Sequence, residues 1–153
     1  MTGAARGSGP TPGPNAGSNP LPDPVRETRA MIAGMAPRPV PGDVCFVTVG
    51  EAEVTALLPS ARAMMREPEG VTLVLPLAHP RCPDGALALR QITLAVQSAL
   101  DGVGLTAAVS SALAARAIPC NVIAGACHDH LFVPAARAEE AQQTLAALAD
   151  ATG

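Results

Sequence analysis

The chain has 153 residues, enough for one domain of ordinary size or two small packed ones. It contains no Lys, which excludes a phosphate-loop lysine, a Schiff-base lysine and a lysine-rich surface for nucleic acid. With a net charge of −3 and only two aromatic residues for base stacking, the sequence predicts no nucleic-acid partner.

The N-terminal segment is rich in proline and glycine. Apart from Met1, residues 1–24 have Leu21 as their single large apolar side chain. They cannot bury enough surface to offset chain entropy, so we expect a disordered tail. A short helix is predicted over Val25–Met35, since Pro37 and the prolines after it remove backbone donors. Gly42 and Asp43 are expected to form a turn.

Residues 25–78 are predicted to form a compact N-terminal half. The β-branched runs Val44–Val49 and Val71–Leu75 have the length of buried strands, and a turn signal at Glu67–Gly70 precedes the second run. Between the strands, residues 59–66 are expected to be helical, with a proline in the first turn.

A proline-rich connection follows at residues 76–88, and we place the linker between the halves at 79–89. Apolar and polar residues then alternate over Gln91–Val96, which predicts a strand covered on one side. The glycine turn Asp101–Gly104 leads into a helix expected to end near Ile118.

The chain closes with two strands and a helix. Strands are predicted at Cys120–Ala124 and around Leu131–Val133, with a hairpin turn at 125–129 and a final helix over Ala135–Ala149. Residues 90–153 therefore form a C-terminal domain of order β-α-β-β-α, an α+β arrangement of ferredoxin-like type without its last strand. A strand from the first half could complete this sheet.

The sequence also gives expectations about the cellular setting. No apolar run approaches the roughly 20 residues that span a bilayer, and the N-terminus does not look like a signal peptide. We therefore expect a cytoplasmic protein with no membrane partner. Cys45, Cys82, Cys120 and Cys127 form no C-x-x-C pair, which favours reduced thiols.

The stretch from Arg90 to Pro134, with PGDVCFVTV at Pro41 and REPEGVTLVLP at Arg66, resembles an uncharacterised bacterial family of ACT-like proteins built from two ACT-like halves. The string HDHLFVP, which begins at His128, is the most specific part of the match. The resemblance implies a non-catalytic regulatory module that binds an amino acid or a similar metabolite, usually at an interface between paired domains. Its expected partners are this small molecule and a second copy of the chain.

The resemblance also implies which residues contact the ligand. They lie in the loop after the first strand of the C-terminal domain and in its second strand: Asp101, Gly102, Val103, Gly104, Leu105, Thr106, Asn121, Val122 and Ile123. Glycines let backbone N–H groups approach a carboxylate, and a helix N-terminus favours negative charge. The alternatives are a plain strand-to-helix turn and an asparagine amide bonded within the fold.

The motif His128-Asp129-His130 belongs to the family signature and has no known role. Histidines at i and i+2 on a strand point the same way and could hold a metal, but the spacing is not a zinc signature. Alternatively, Asp129 accepts hydrogen bonds in the hairpin turn while one histidine packs beside Phe132. We predict no metal and no cofactor.

No catalytic residue is predicted either. Cys127 and His128 are adjacent, and adjacent strand residues point to opposite faces. Two other functions remain open. One is a ligand-free assembly module that pairs through a sheet edge or an alanine-rich helix face, and the other is a metal-dependent enzyme centred on His128 and His130.

Overall fold

The computed structural model describes residues 22–153, which form one six-stranded antiparallel sheet with four α-helices. The predicted tail lies mostly outside the described residues, and 22–24 carry no helix or strand. The strands are β1 (Pro37–Val49), β2 (Ala63–Glu67), β3 (Gly70–Pro76), β4 (Leu89–Leu94), β5 (Asn121–Ala124) and β6 (Asp129–Pro134). The helices are α1 (Thr28–Ala33), α2 (Glu51–Leu57), α3 (Leu105–Ala114) and α4 (Ala138–Thr152).

The strand order is β2-β3-β1-β4-β6-β5. Residues 89–152 follow the order β4-α3-β5-β6-α4, and β1 pairs antiparallel with β4 in the place of the missing last strand. The predicted ferredoxin-like α+β fold is therefore confirmed, and so is the prediction that the first half completes the sheet.

Strand β1 changes partners along its length. Its N-terminal part pairs with β4 from Pro37 to Val44, and its C-terminal part pairs with β3 from Val44 to Val49. The register shifts between Pro39 and Asp43, where β1 holds two more residues than β4. Such a bulge bends and twists a strand, so the sheet curls. The prolines lie in the part paired on one side only, where a missing N–H group costs little.

The helices cover one face of the sheet. Alternate side chains of β4 and β6, such as Ile92 and Leu131, pack against α1, α3 and α4 in the larger core, together with Met31, Leu113 and Leu145. A smaller core on the same face joins the C-terminal part of β1 and β3 to α2. The opposite face carries a third apolar cluster of Val44, Val74, Leu89 and Phe132.

Two local predictions are wrong. Gly42 and Asp43 form no turn, because Gly42 adopts a φ of 81° inside the bulge and β1 continues through it. Residues 59–66 are not a helix: a short 3-10 helix covers Leu58–Ser60, and Ala63–Glu67 pairs with β3 as an edge strand. The helix between β1 and β2 is α2, in which Val54 is the one buried residue and the half-buried Leu57 also packs against the smaller core.

Several element bounds also differ from the predictions. Helix α1 is shorter than Val25–Met35, because Val25 instead pairs with Ser98 beside the end of β4. Strand β4 begins two residues early and ends at Leu94. Helix α3 ends at Ala114 rather than near Ile118, because the chain turns through Ala117, whose φ is 52°.

The prediction of four reduced thiols is wrong for one pair. Cys45 of β1 and Cys82 of the β3–β4 loop form a disulfide, with Cα atoms 6.3 Å apart. Cys120 and Cys127 are free. The β3–β4 loop packs Leu77 and Ala86 against the smaller core, so the disulfide fastens a loop over the sheet beside α2.

We expect the change Cys82→Ser to lower the free energy of unfolding by about 2 to 4 kcal/mol, because the bond restrains the unfolded chain. Urea unfolding without reductant measures this. A dithiol reductant should lower the stability of the wild type to that of the variant and leave the variant unchanged. Four titratable thiols in the unfolded, unreduced wild type would contradict the disulfide.

Candidate ligand site

The loop between β4 and α3 is held tightly on both sides. Gly102 donates its N–H to the Ala99 carbonyl at 2.8 Å, and the Thr28 hydroxyl donates to the Val103 carbonyl at 2.8 Å. A Cβ on Gly102 would meet the Met31 sulfur at 2.9 Å. The loop therefore needs a glycine here to approach α1 this closely.

Helix α3 begins at this loop with no side-chain cap. Gly104 occupies the N-cap position with a φ of 103°, and no acidic residue lies in the first turn. The first backbone N–H groups of a helix have no partner within the helix, and the N-terminus carries partial positive charge. This end of α3 can therefore receive an anion from outside the helix.

A small cavity of about 80 Å³ lies at the N-terminus of α3. It is the meeting point of α1, the end of β4, the start of α3 and the β5–β6 hairpin. Its lining residues are Met31, Ser98, Ala99, Leu100, Gly102, Leu105, Thr106, Ala124 and Asp129. Three residues of the predicted loop therefore line one cavity.

Asp129 supplies the one charged side chain of the cavity wall. It is only 8% exposed, and its Oδ2 accepts a hydrogen bond of 2.8 Å from the Ser98 hydroxyl. Because Asp129 lies in β6 rather than in the hairpin turn, this partner is distant in sequence, unlike the local partners expected for a turn residue. The cavity thus combines a carboxylate with the positive end of a helix.

The two histidines of the motif have different surroundings. His128 has its Nδ1 3.2 Å from the Val96 carbonyl oxygen. His130 has its Nδ1 3.0 Å from the Thr93 hydroxyl and 3.2 Å from Nε2 of Gln91, on the sheet face opposite the helices. Desolvation lowers the pKa of His130, the charge of His128 lowers it further, and Asp129 acts in the opposite direction.

Asn121 lies away from the loop with which it is predicted to share a ligand site. It begins β5 opposite Phe132, whereas the cavity at α3 touches the other end of that strand at Ala124. Asn121, Val122 and Ile123 line a separate cleft on the other side of the molecule. The structure thus divides the predicted ligand residues between two places.

Ser98 and Met31 are cavity residues that the sequence analysis missed, and Asp129 was noted only as part of a motif of unknown role. A charged residue two positions before the apolar run LFV was the one available signal. In residues 22–153, no group of three or more His, Cys, Asp or Glu side chains is placed to hold a metal ion. No helix in the same range is long and apolar enough to cross a membrane.

Comparison with known proteins identifies the family. A model of the ACT domain matches residues 88–147. A protein of unknown function from Vibrio cholerae, named as a possible transport protein, is 41% identical in sequence, with a TM-score of 0.67 over 75% of this chain and 90% of that one. The chain belongs to a family of ACT-like proteins. The predicted family membership is confirmed.

More distant structures share the ACT fold. An Agrobacterium tumefaciens protein matches with 19% identity and a TM-score of 0.57 over 74% of this chain and 87% of that one. The regulatory subunit of aspartate kinase from Thermus flavus matches with 11% identity and a TM-score of 0.53 over 74% and 96%. None of the curated proteins shows significant similarity to this ACT-like chain.

Gly104 gives a test of the loop geometry. A Cβ added there would lie 2.6 Å from Cγ2 of Thr28, in addition to the unfavourable φ. We expect Gly104→Ala to cost about 1 to 3 kcal/mol from backbone strain alone, and more once Thr28 is displaced from its bond to Val103. Urea unfolding measures the loss.

The matched control is Gly85→Ala. Gly85 also has a positive φ, 76°, but a Cβ there would have no neighbour within 4 Å. We expect the Gly85 variant to lose less stability than the Gly104 variant. Equal losses would show that the contact between the loop and α1 contributes nothing.

His130 gives a test against pH. Its pKa is lower in the folded chain than the ordinary value of 6.5, so the unfolded chain binds the proton more readily. The free energy of unfolding should therefore fall as pH decreases through 6.5 toward the lower folded pKa. We expect His130→Asn to lose less stability than the wild type between about pH 7 and pH 5. The control is His79→Asn in the β3–β4 loop, and equal pH slopes for the wild type and the His130 variant would contradict the prediction.

Proposed function

We propose that this ACT-like protein is a non-catalytic regulator that binds a small zwitterionic metabolite, an amino acid in the simplest case, at the N-terminus of α3. The observation that supports this most directly is the pairing of two poles in one cavity. The uncapped first turn of α3 offers N–H donors, and the carboxylate of Asp129 offers an acceptor.

The two poles suit the two charged groups of an α-amino acid. A carboxylate gains from partly unpaired N–H groups and from the positive end of the helix. An ammonium group donates hydrogen bonds, and Asp129 already receives one from Ser98 on only one of its oxygens. We assign the ligand carboxylate to the start of α3, near Leu105 and Thr106, and the ammonium group to Asp129.

The cavity size favours binding of the head of the ligand. About 80 Å³ holds a few water-sized groups and leaves no room for a long side chain. Leu100, which is 74% exposed, lines both this cavity and a second, more open one of about 270 Å³. In our proposal the ligand side chain extends past Leu100 into this second space.

The regulatory role also fits the family. The fold is shared with a protein that is itself a regulatory subunit, that of the Thermus flavus aspartate kinase. We also propose that residues 25–78 are a shortened ACT-like half, joined by the linker 79–89 to the ACT-like domain 90–153. Val103, which is 77% exposed beside the site, would be covered by a second copy of the chain.

A thermal-shift screen against the twenty amino acids tests the proposal. A ligand that binds only the folded chain stabilises it by about 2.7 kcal/mol at one hundred times its dissociation constant, which raises the melting temperature by several degrees. The change Asp129→Asn keeps an acceptor for Ser98 but removes the charge, so it should abolish the shift without unfolding the chain.

The matched control is Asp150→Asn on the exposed side of α4, which should keep the full shift. The proposal would be overturned if no amino acid raises the melting temperature at millimolar concentration. It would also be overturned by a shift that is equal in the wild type and the Asp129 variant.

The second candidate function is a ligand-free assembly module. The specific observation in its favour is the edge strand β2, where Met64 is 39% exposed and Met65 is 56% exposed. A free edge can pair with another chain. A dimer that persists on dilution, combined with a flat ligand screen, would favour this function.

A further inference from the structure

The face opposite the helices is concave and holds two neighbouring cavities. One, of about 370 Å³, lies between strands at the two edges of the sheet, with Met65 of β2 on one side and Ile123 of β5 on the other. The second, of about 380 Å³, lies toward the β3–β4 loop, beside Leu87 and Leu89. Both are lined by Phe46 and Asn121, so they adjoin at these two side chains, and together they are called the cleft.

Phe46 forms the aromatic part of this cleft. It is 37% exposed, whereas Phe132 beneath it is buried, and the two rings meet edge to face with centroids 5.2 Å apart. The apolar clusters of the other face are closed by helices, but Phe46 and Met65 have no cover in the described part of the chain. The cleft thus exposes apolar surface at a concave place, which is typical of binding sites.

The cleft carries one charge, that of Glu67. Glu67 accepts a hydrogen bond from the Thr72 hydroxyl and forms no ion pair among residues 22–153. A carboxylate without a cationic partner and an exposed aromatic ring both attract a positive charge. The lining of the cleft therefore favours a cationic group over an anionic one.

We propose that this cleft is a second ligand site, distinct from the cavity at α3, and that it binds an organic cation with an apolar body. The cationic group, a primary amine or a guanidinium, pairs with Glu67 and lies against Phe46. The apolar body extends over Leu87 and Leu89, along the wall that the Cys45–Cys82 disulfide fastens. An anion of the same size binds more weakly, because the charge of Glu67 repels it.

The aromatic composition supplies a direct measurement. The chain has no Trp or Tyr and two Phe residues, so the proton NMR signals of Phe46 can be resolved. The probe is 2-phenylethylamine deuterated on its ring, and the matched anion is 3-phenylpropanoate. We expect the amine to shift the Phe46 signals in a saturable way and the anion to bind at least about fivefold more weakly.

Three variants test the role assigned to Glu67. Glu67→Gln keeps the bond from Thr72 and should weaken binding of the amine about two- to fivefold, as expected for a partly exposed charge pair. Glu69→Gln, in the turn of the same hairpin but outside the cleft, should leave binding unchanged. Asp129→Asn should also leave binding of the amine unchanged, so the proposals for the two ligand sites are tested independently.

Three results would overturn the proposal. The first is a set of Phe46 signals that do not move at millimolar amine. The second is equal binding of amine and anion, or of the wild type and the Glu67 variant, which would show only nonspecific apolar contact. The third is a change of the Phe46 signals with protein concentration, caused by self-association that competes with the probe. This result would show that a second copy of the chain covers the cleft.

Discussion

The backbone pairing of β1 with two different strands is the constraint on which the rest of the structure depends. One segment of 13 residues completes the sheet of the C-terminal half and also begins the sheet of the N-terminal half. The bulge between Pro39 and Asp43 allows both pairings, because it absorbs two extra residues and turns the strand. Arg90 reinforces this point from β4, with its Nε 2.7 Å from Oδ1 of Asp43.

The curl that follows from this shared strand gives the two faces different chemistry. On the helix side, the larger core is closed over, and the cavity at the N-terminus of α3 is small and lies where secondary-structure elements end. On the other side the edge strands approach each other around Phe46, and the cleft stays open. The polar groups of each place follow from its position. The helix terminus provides the N–H donors of the cavity at α3, and strand side chains such as Glu67 and Asn121 provide the polar groups of the cleft.

The sequence predicted those features that depend on neighbouring residues. The glycine loop at Asp101–Gly104 and the strand-helix order after it are local, and both are present. The predictions that are wrong concern features that depend on partners distant in sequence. Residues 59–66 have a helical composition, but pairing with β3 makes an edge strand of 63–67. The disulfide joins cysteines 37 residues apart in sequence. Asn121 is separated from the loop because it lies at the first end of β5, whereas the cavity at the loop touches the other end of that strand.

The shared strand β1 also determines the order in which the strands can pair while the chain is synthesised. Domains fold from the N-terminus as the chain emerges, so β1, β2 and β3 can pair once residue 76 is available. The N-terminal part of β1 must then wait for β4, about one to four seconds later at ordinary rates of translation. During that interval it is an open edge that could pair with another nascent chain. The prolines at 37, 39 and 41 remove three backbone donors from this segment, so it offers a foreign strand fewer hydrogen bonds until β4 is available.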